Sequence, residues 1–279
     1  MRQLWRNFTR QKLAVAGIIL LGACVAMAVA APLLATHDPK AFSIDRYVPP
    51  GSPGHPLGTD NFGRDLLSRI IYGARVAFLV GVLSAGISAG LGIVIGAIPG
   101  YFGGVVDEVI SRFVDIFLMI PVFFLLILAT SIFGSNIYFV MFAIGITTWP
   151  ANARIMRSQV LTLKTRPYVK ASIAAGASVT RVLVRHIIPN GIYPVIANTA
   201  LQMGSAILTE AGLSFLGLGD PNVVSWGQMI QAGQRYMNVA WWMVLFPGLA
   251  LLLLVAAFNL TGDGLNYAFN PRLQRRAGA

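Results

Sequence analysis

A serine between two glycines, three histidines, one cysteine and two carboxylates near apolar runs are the residues of this chain with chemistry to offer. Gly86-Ile87-Ser88-Ala89-Gly90 matches the Gly-x-Ser-x-Gly pattern that holds a nucleophilic serine on a strand-to-helix turn. Such an elbow needs a strand before it and a histidine within reach. Ser88 lies in the middle of an uncharged run and has neither. His37, His55 and His186 all fall in predicted loops, so none serves as base or metal ligand inside an apolar run. Cys24 is alone, which excludes an internal disulfide and a cysteine-based zinc site. No Gly-x-x-x-x-Gly-Lys-Ser/Thr phosphate loop occurs, so nucleotide hydrolysis by the chain itself is not expected. Acids inside a membrane are costly and often functional, and Asp115 and Glu210 are the candidates. Both fall near the ends of apolar runs, where a hydrated or hydrogen-bonded carboxylate at the interface is expected. No catalytic residue and no metal ligand is therefore assigned.

The elements that carry these residues follow from composition. The 279 residues are 56% hydrophobic and 11% charged, with a mean hydropathy of +0.70. A soluble domain carries roughly 25% charged residues, so this chain cannot cover a globule with ionic groups, and it has too much apolar surface to stay disordered. Lipid is its natural solvent. A hydrocarbon core of ~30 Å takes about 20 apolar helical residues. The run Leu13 to Ala35 reads as a first span. Ala28-Val29-Ala30 resembles a signal-peptidase site, but the run exceeds the roughly 7–15 residues of a signal core, and an uncleaved span is expected. Val76 to Val106 is the second span and ends near Pro99-Gly100. Ile116 to Ala153 is too long for one helix and is read as two, turning at Gly134-Ser135-Asn136. The fifth span runs from about Asn190 to Leu213 and the sixth from about Val239 to Gly262, with Trp241 and Trp242 as an interfacial anchor. The expectation is an all-α integral membrane fold of six transmembrane helices. It is divided into 1–75 (tail, first span and outer segment), 76–265 (five helices and a loop at 163–189) and a tail at 266–279.

The net charge of +11 could suggest nucleic acid, but basic residues also flank spans on the cytoplasmic side. With six spans, fifteen of the 21 Lys and Arg fall on the side of the termini: Arg2, Arg6, Arg10, Lys12, Arg112, seven between spans 4 and 5, and Arg272, Arg275 and Arg276. Lys40, Arg46, Arg64, Arg69, Arg75 and Arg235 fall opposite. Both termini are therefore expected in the cytoplasm, and nucleic acid is not expected as a partner.

In the first outer segment, Val48 to Gly54 reads as an irregular loop. Thr59 or Asp60 then caps a short helix supported by Asp60–Arg64 and Asp65–Arg69 pairs. Within the second span Gly86, Gly90, Gly92 and Gly96 (with Gly100) recur at intervals of four within two sets, a small-residue pattern that lets a neighbouring helix approach closely. The basic loop from Leu163 to Pro189 places Val169, Ile173, Gly176, Thr180, Leu183 and Ile187 at helical spacing, with Arg181 and Arg185 opposite. Gly176 lies midway, so two short helices meeting at a glycine turn are expected, and Pro189 suits the first turn of the fifth span. From the pattern alone, this hairpin either transmits force from a soluble partner or anchors to anionic lipid.

Tyr168-Val169-Lys170-Ala171-Ser172-Ile173-Ala174-Ala175-Gly176, with Ile187-Ile188-Pro189-Asn190, resembles the Glu-Ala-Ala…Gly…Ile-x-Leu-Pro loop of ABC importer permeases. Lys170 stands in place of the glutamate, Ser172 in place of the second alanine and Ile188 in place of leucine. His55 to Arg69, Gly204 to Gly219, Phe246 to Ala250 and Asn259 to Leu265 are similar to segments of the dipeptide/oligopeptide permeases, in particular the dipeptide-permease-C type. The resemblance runs from about residue 5 to 273. It implies a type I ABC importer permease fold and a bacterial inner-membrane location. It also implies a second permease subunit, two ATPase subunits and an extracytoplasmic solute-binding protein as partners. ATP and Mg would be used by the ATPase subunits, with no cofactor bound by this chain. The implied ATPase contact is Tyr168, Val169, Lys170, Ala171, Ser172, Ile173, Ala175 and Gly176, with Pro189 downstream. Asp60, Arg64 and Asp65 are candidates for facing the binding protein, with helix capping as their alternative role. Di- and oligopeptides are the leading solutes, with glutathione, nickel chelates, opines or sugars as alternatives, and a stand-alone secondary transporter as the rival class.

Overall fold

The computed structural model describes residues 8, 9 and 11–269. The tail residues Arg2, Arg6, Arg10, Arg272, Arg275 and Arg276 lie outside them. The regular elements of the described chain are all helices: α1 Lys12–Val29, α2 Ala31–Leu34, α3 Leu66–Phe102, α4 Gly104–Met119, α5 Val122–Phe133, α6 Ile137–Leu163, α7 Pro167–Ala174, α8 Val179–Val182, α9 Ile188–Gly191, α10 Tyr193–Leu213, α11 Trp226–Gly233 and α12 Trp242–Phe269, with a long non-helical segment between α2 and α3. Two isolated bridges are the only β pairing among the described residues.

Three of these helices, α1, α3 and α12, are long and apolar enough to cross a membrane. The α4 and α5 helices pass the same length and hydropathy test only together, as a pair bent by 78° that is either a broken span or a re-entrant loop. The bend falls at Ile120-Pro121, where Ile120 is extended (ψ 125°). Proline lacks the N–H that would continue the helix and disfavours helical geometry in the residue before it. The bend therefore interrupts the expected third span a few residues after its start at Ile116. With 27 and 21 residues, α6 and α10 are long enough to span but more polar. By length and composition alone three helices qualify as spans, or four with the bent pair counted as one; polar residues such as Asn152, Arg154, Asn198 and Gln202 keep α6 and α10 out of that count. The turn at Gly134-Ser135-Asn136 falls as expected, and Asn136 caps α6 by accepting from the Tyr138 N–H.

At ~1.5 Å per residue, α3 is about 55 Å long, well beyond a ~30 Å hydrocarbon core. It starts ten residues earlier than the apolar run suggested and passes through Pro99 to Gly103. Asp65, not Thr59 or Asp60, is its N-cap, accepting from the Ser68 N–H. The expected separate short helix from Thr59 or Asp60 does not form. α3 lies along α6, and α10 and α1 both pack on α12. Trp226 donates to the Ile70 carbonyl at 3.0 Å and Trp242 to the Thr59 carbonyl at 3.1 Å. Trp242 is therefore buried against the outer loop rather than lying at a lipid interface, whereas Trp241 is half exposed.

The turn into α6 is tied down by Asp220, which accepts from the Ile137 N–H at 3.0 Å and from the Asn222 N–H at 2.9 Å. Burial pushes this carboxyl up, but the Asn222 and Ile137 hydrogen bonds and nearby Lys40 outweigh it and hold it below the ordinary carboxylate range. A depressed folded value stabilises the fold above the unfolded value of about 3.9, and that stabilisation is lost as pH falls through the folded value. Asp220→Asn is therefore expected to lower the thermal midpoint at neutral pH, with the gap from wild type narrowing below about pH 4. A gap independent of pH would show that ionised Asp220 contributes nothing.

Candidate functional site

The loop after α6 forms two short helices, as its pattern suggested. Pro167 opens α7 behind the extended Arg166, since its fixed φ suits a first helical position. Gly176 then turns the chain with φ +80°, a left-handed conformation that costs an L side chain about 1–2 kcal/mol. Its N–H closes on the Ile173 carbonyl at 2.9 Å, and the Ser178 hydroxyl caps α8 by accepting from the Arg181 N–H. From Val179 the chain stays helical through a π-turn at Leu183–Ile187 to α9. His186 is thus helical rather than in a loop, and Pro189 sits in the first turn of α9, one short helix before α10.

The expected single apolar face is not continuous. Val169, Val182 and Ile187 are fully buried, whereas Ile173 is 46% exposed, and Gly176 and Thr180 are also exposed. The glycine turn breaks the helical register, so spacing counted across it does not map to one face. The three buried side chains join one cluster with Ala97 of α3, Met156 and Val160 of α6 and Val195 of α10. The hairpin is therefore bolted to three long helices at once. Its outer face presents Tyr168, Lys170, Ala171, Ile173 and Ala175, with Ser172 half-buried. Arg181 and Arg185 are exposed.

The adjoining helix ends are braced by charge. Arg157 of α6 makes a two-pronged pair with Asp107 of α4, its Nε and Nη2 donating at 2.5 and 2.6 Å. Lys164 donates to the Gly100 carbonyl at 2.9 Å. Arg154 pairs with Asp115, so this carboxylate is an exposed, salt-bridged group, near the interfacial reading expected for it. Glu210 differs: it is buried and accepts from the hydroxyls of Ser214 at 2.6 Å and Ser225 at 2.9 Å.

Sequence reading missed a polar cluster between α3, α6 and α10, in which Ser88 and Asn152 are fully buried and Asn198 and Gln202 half-buried. The Asn152 Nδ2 donates to Gln202 Oε1 at 2.7 Å and to the Ser88 hydroxyl at 3.2 Å, and its Oδ1 accepts from Asn198 at 2.9 Å. Ser88 donates to Gln202 at 3.0 Å. The signal available was Asn152, Asn198 and Gln202 within otherwise apolar helices. Ser88 is a member of this network and has no hydrolase geometry around it. The small-residue stripe divides in two. A Cβ at Gly92, Gly96 or Gly100 would collide with α6, whereas Gly86 and Gly90 are exposed and meet nothing within 4 Å. Only the second half of the stripe is a packing surface within this chain.

Asp60, Arg64 and Asp65 are brought together, but Asp60 and Asp65 face inward. Asp60 accepts from the N–H groups of Phe62 and Arg64 and from Arg64 Nε at 2.6 Å. Asp65 accepts from Ser68 N–H and hydroxyl and lies 3.0 Å from His55 Nδ1. The expected Asp65–Arg69 pair does not form; Arg69 instead lies 3.8 Å from Asp60 and donates to the Pro39 carbonyl. Arg64 alone reaches the edge, over the rings of Phe42 and Phe62.

The family described as binding-protein-dependent transport system inner membrane component matches residues 92–275, and the N-terminal TM domain of oligopeptide transport permease C matches residues 1–50. The chain is 43% identical over 282 residues to the dipeptide transport system permease protein DppC of Escherichia coli (strain K12), covering 99% of this chain and 94% of the relative. It is 40% identical over 278 residues to the oligopeptide transport system permease protein OppC of the same organism, covering 97% and 92%. To the di/tripeptide transport system permease protein DppC of Pseudomonas aeruginosa (strain UCBPP-PA14) it is 38% identical over 284 residues, covering 99% and 94%. Among solved structures, an inward-facing form of the MetNI methionine ABC transporter aligns with a TM-score of 0.56 at 18% identity, covering 72% of this chain and 96% of that one. At that identity the likeness is one of fold.

Proposed function

The chain belongs to the family of binding-protein-dependent transport system inner membrane components, and from that premise we propose that it is a permease subunit that passes di- or oligopeptides across the bacterial inner membrane. The peptide relatives support the solute class. Its path is formed with a second permease subunit, the solute arrives on an extracytoplasmic binding protein, and two ATPase subunits supply ATP hydrolysis with their own Mg. The nucleotide and its Mg are bound by those ATPase subunits rather than by this chain. Both termini face the cytoplasm, which puts the α7–α8 hairpin and its basic residues on the ATPase side.

One observation carries the mechanical part of this reading. The hairpin is anchored by Val169, Val182 and Ile187 into α3, α6 and α10 while its outer face stays open. A partner that pulls on Tyr168, Lys170, Ala171 and Ile173 therefore moves packed helices rather than a slack loop. Packed interfaces switch between discrete arrangements, which suits alternating access. The Arg157–Asp107 pair and the Lys164–Gly100 contact extend the rigid body into α4 and the end of α3. Lys170 in place of an acidic residue means that the contact cannot depend on a carboxylate at that position.

Gly176→Leu tests the coupling. Strain at φ +80° of about 1–2 kcal/mol re-angles α7 against α8, so ATP-driven peptide uptake in cells carrying the complete transporter is expected to fall about tenfold or more. Insertion into the membrane should be unchanged. Gly176→Asn, which tolerates this conformation, should retain most uptake. Full uptake by Gly176→Leu would remove the coupling role. A panel of dipeptides, glutathione and sugars in the same cells tests the solute class separately.

A further inference from the structure

We propose that His37, His55 and Asp65 form a site for one divalent transition-metal ion of the zinc type, fastening the segment after α2 to the start of α3. The three side chains come from separate stretches, and their nearest nitrogen and oxygen atoms all lie within 4.8 Å of one another. His55 Nδ1 is 3.0 Å from one Asp65 oxygen and His37 Nδ1 is 4.0 Å from the other. The two imidazoles stack, with centroids 4.8 Å apart and planes 27° apart.

These distances suit a metal centre once the His37 nitrogen closes from 4.0 Å on Asp65 and its ring turns out of the stack, since stacked imidazoles aim their lone pairs side by side rather than at one atom. With metal–ligand bonds of about 2.0–2.2 Å, ligand atoms around a tetrahedral zinc stand roughly 3.3–3.5 Å apart. His37 is the group that must move, and it is the exposed member, while Asp65 is fully enclosed. The Thr36 hydroxyl now on His37 Nδ1 gives way to the ion. Two neutral imidazoles and one carboxylate are a donor set for zinc, nickel, cobalt or copper rather than magnesium or calcium. Three protein ligands leave a fourth position for water.

The surroundings are arranged as an outer layer for such a centre. Ser68 holds the Asp65 carboxylate with its N–H at 2.8 Å and its hydroxyl at 2.7 Å, and the same hydroxyl accepts from the His37 N–H at 3.1 Å. Fixing a ligating carboxylate in this way tunes and orients it. Capping of α3 accounts for Asp65, and a hydrogen bond accounts for His55. Neither requires a second imidazole beside the other carboxylate oxygen. His37 also borders a cavity of about 800 Å³ lined by Asp38, Lys40, Tyr72 and Arg75, which gives an ion a way in.

The full chain, purified through a histidine-free tag, stripped with chelator and held in lipid nanodiscs, is titrated with Zn²⁺ and then Co²⁺. One equivalent of zinc is expected to bind at micromolar concentration and raise the thermal midpoint. Cobalt should give the visible absorption of a low-coordinate site. His37→Gln changes an exposed side chain and should weaken zinc binding at least tenfold and abolish the cobalt bands. His55→Gln should do the same, with its metal-free unfolding compared to wild type to establish that it folds. His186→Gln, in the π-turn after α8, should bind as wild type does. No zinc uptake at micromolar concentration, or uptake that survives both His37→Gln and His55→Gln, would overturn the site.

Discussion

Gly96→Leu is expected to abolish accumulation of folded protein in the membrane. A Cβ at Gly96 would fall against the Ala153 carbonyl, and one at Gly92 against Asn152, both on the backbone side of α6. Neither neighbour is a flexible side chain that can swing away. Overpacking a close-packed site costs about 1–3 kcal/mol when neighbours can adjust, and here the only adjustment is separation of α3 from α6. That separation would also open the polar cluster and unseat the cluster that holds Val169, Val182 and Ile187. The matched control is Gly90→Leu, in the same helix at the same spacing, where nothing lies within 4 Å. In the isolated chain it should leave stability unchanged or raise it by up to about 1 kcal/mol, the gain from replacing a glycine inside a helix. Size-exclusion of detergent-extracted protein and the thermal midpoint measure both. Equal behaviour of the two variants would show that the α3–α6 contact is not the close approach described. A Gly90→Leu protein that is stable alone but fails to assemble would place that face against another subunit.

The second large effect is expected from Asn152→Ala. Asn152 is fully buried and makes three of the four bonds that join Ser88, Asn198 and Gln202 to it and to each other. Truncation leaves the Asn198 amide without its Asn152 acceptor and costs the Gln202 oxygen one of its two donors, Ser88 remaining. A buried polar group left unpaired costs about 1–3 kcal/mol, while side-chain hydrogen bonds between membrane helices average nearer 0.6 kcal/mol. With one group orphaned and one further hydrogen bond lost, a loss of roughly 2–3 kcal/mol follows from these bounds. Ser88→Ala removes one donor and one acceptor at the edge of the same network and should cost less. Thermal unfolding of both variants in one lipid composition compares them directly. If Asn152→Ala unfolds at the wild-type temperature, the cluster is hydrated rather than dry.

Composition and periodicity made the helical membrane class, the turn at Gly134 to Asn136 and the glycine-hinged hairpin legible. Each of these is local: apolar runs, a positive-φ glycine and a capping residue act within a few positions of chain. The outer segment was harder to read for the same reason. Asp60–Arg64 and Asp65–Arg69 have ideal helical spacing, yet the chain uses Asp60 to close a loop and Asp65 to begin α3. An i,i+4 pair contributes only a few tenths of a kcal/mol, less than a cap with two hydrogen bonds. Pro121 was visible as a residue but not as a 78° bend, since its effect depends on which helices receive the two halves.

What the sequence determined by itself was therefore the solvent and the elements: lipid, long helices, a basic hairpin and the family that this order of segments resembles. Tertiary structure alone decided which of two identical glycine patterns packs, which scattered polar residues meet, and that two histidines far apart in the chain stack beside one carboxylate. Periodicity reports which residues share a face of one helix. It carries no information about which other helix that face meets, and close approach, buried hydrogen bonding and ligand clusters are all properties of the meeting.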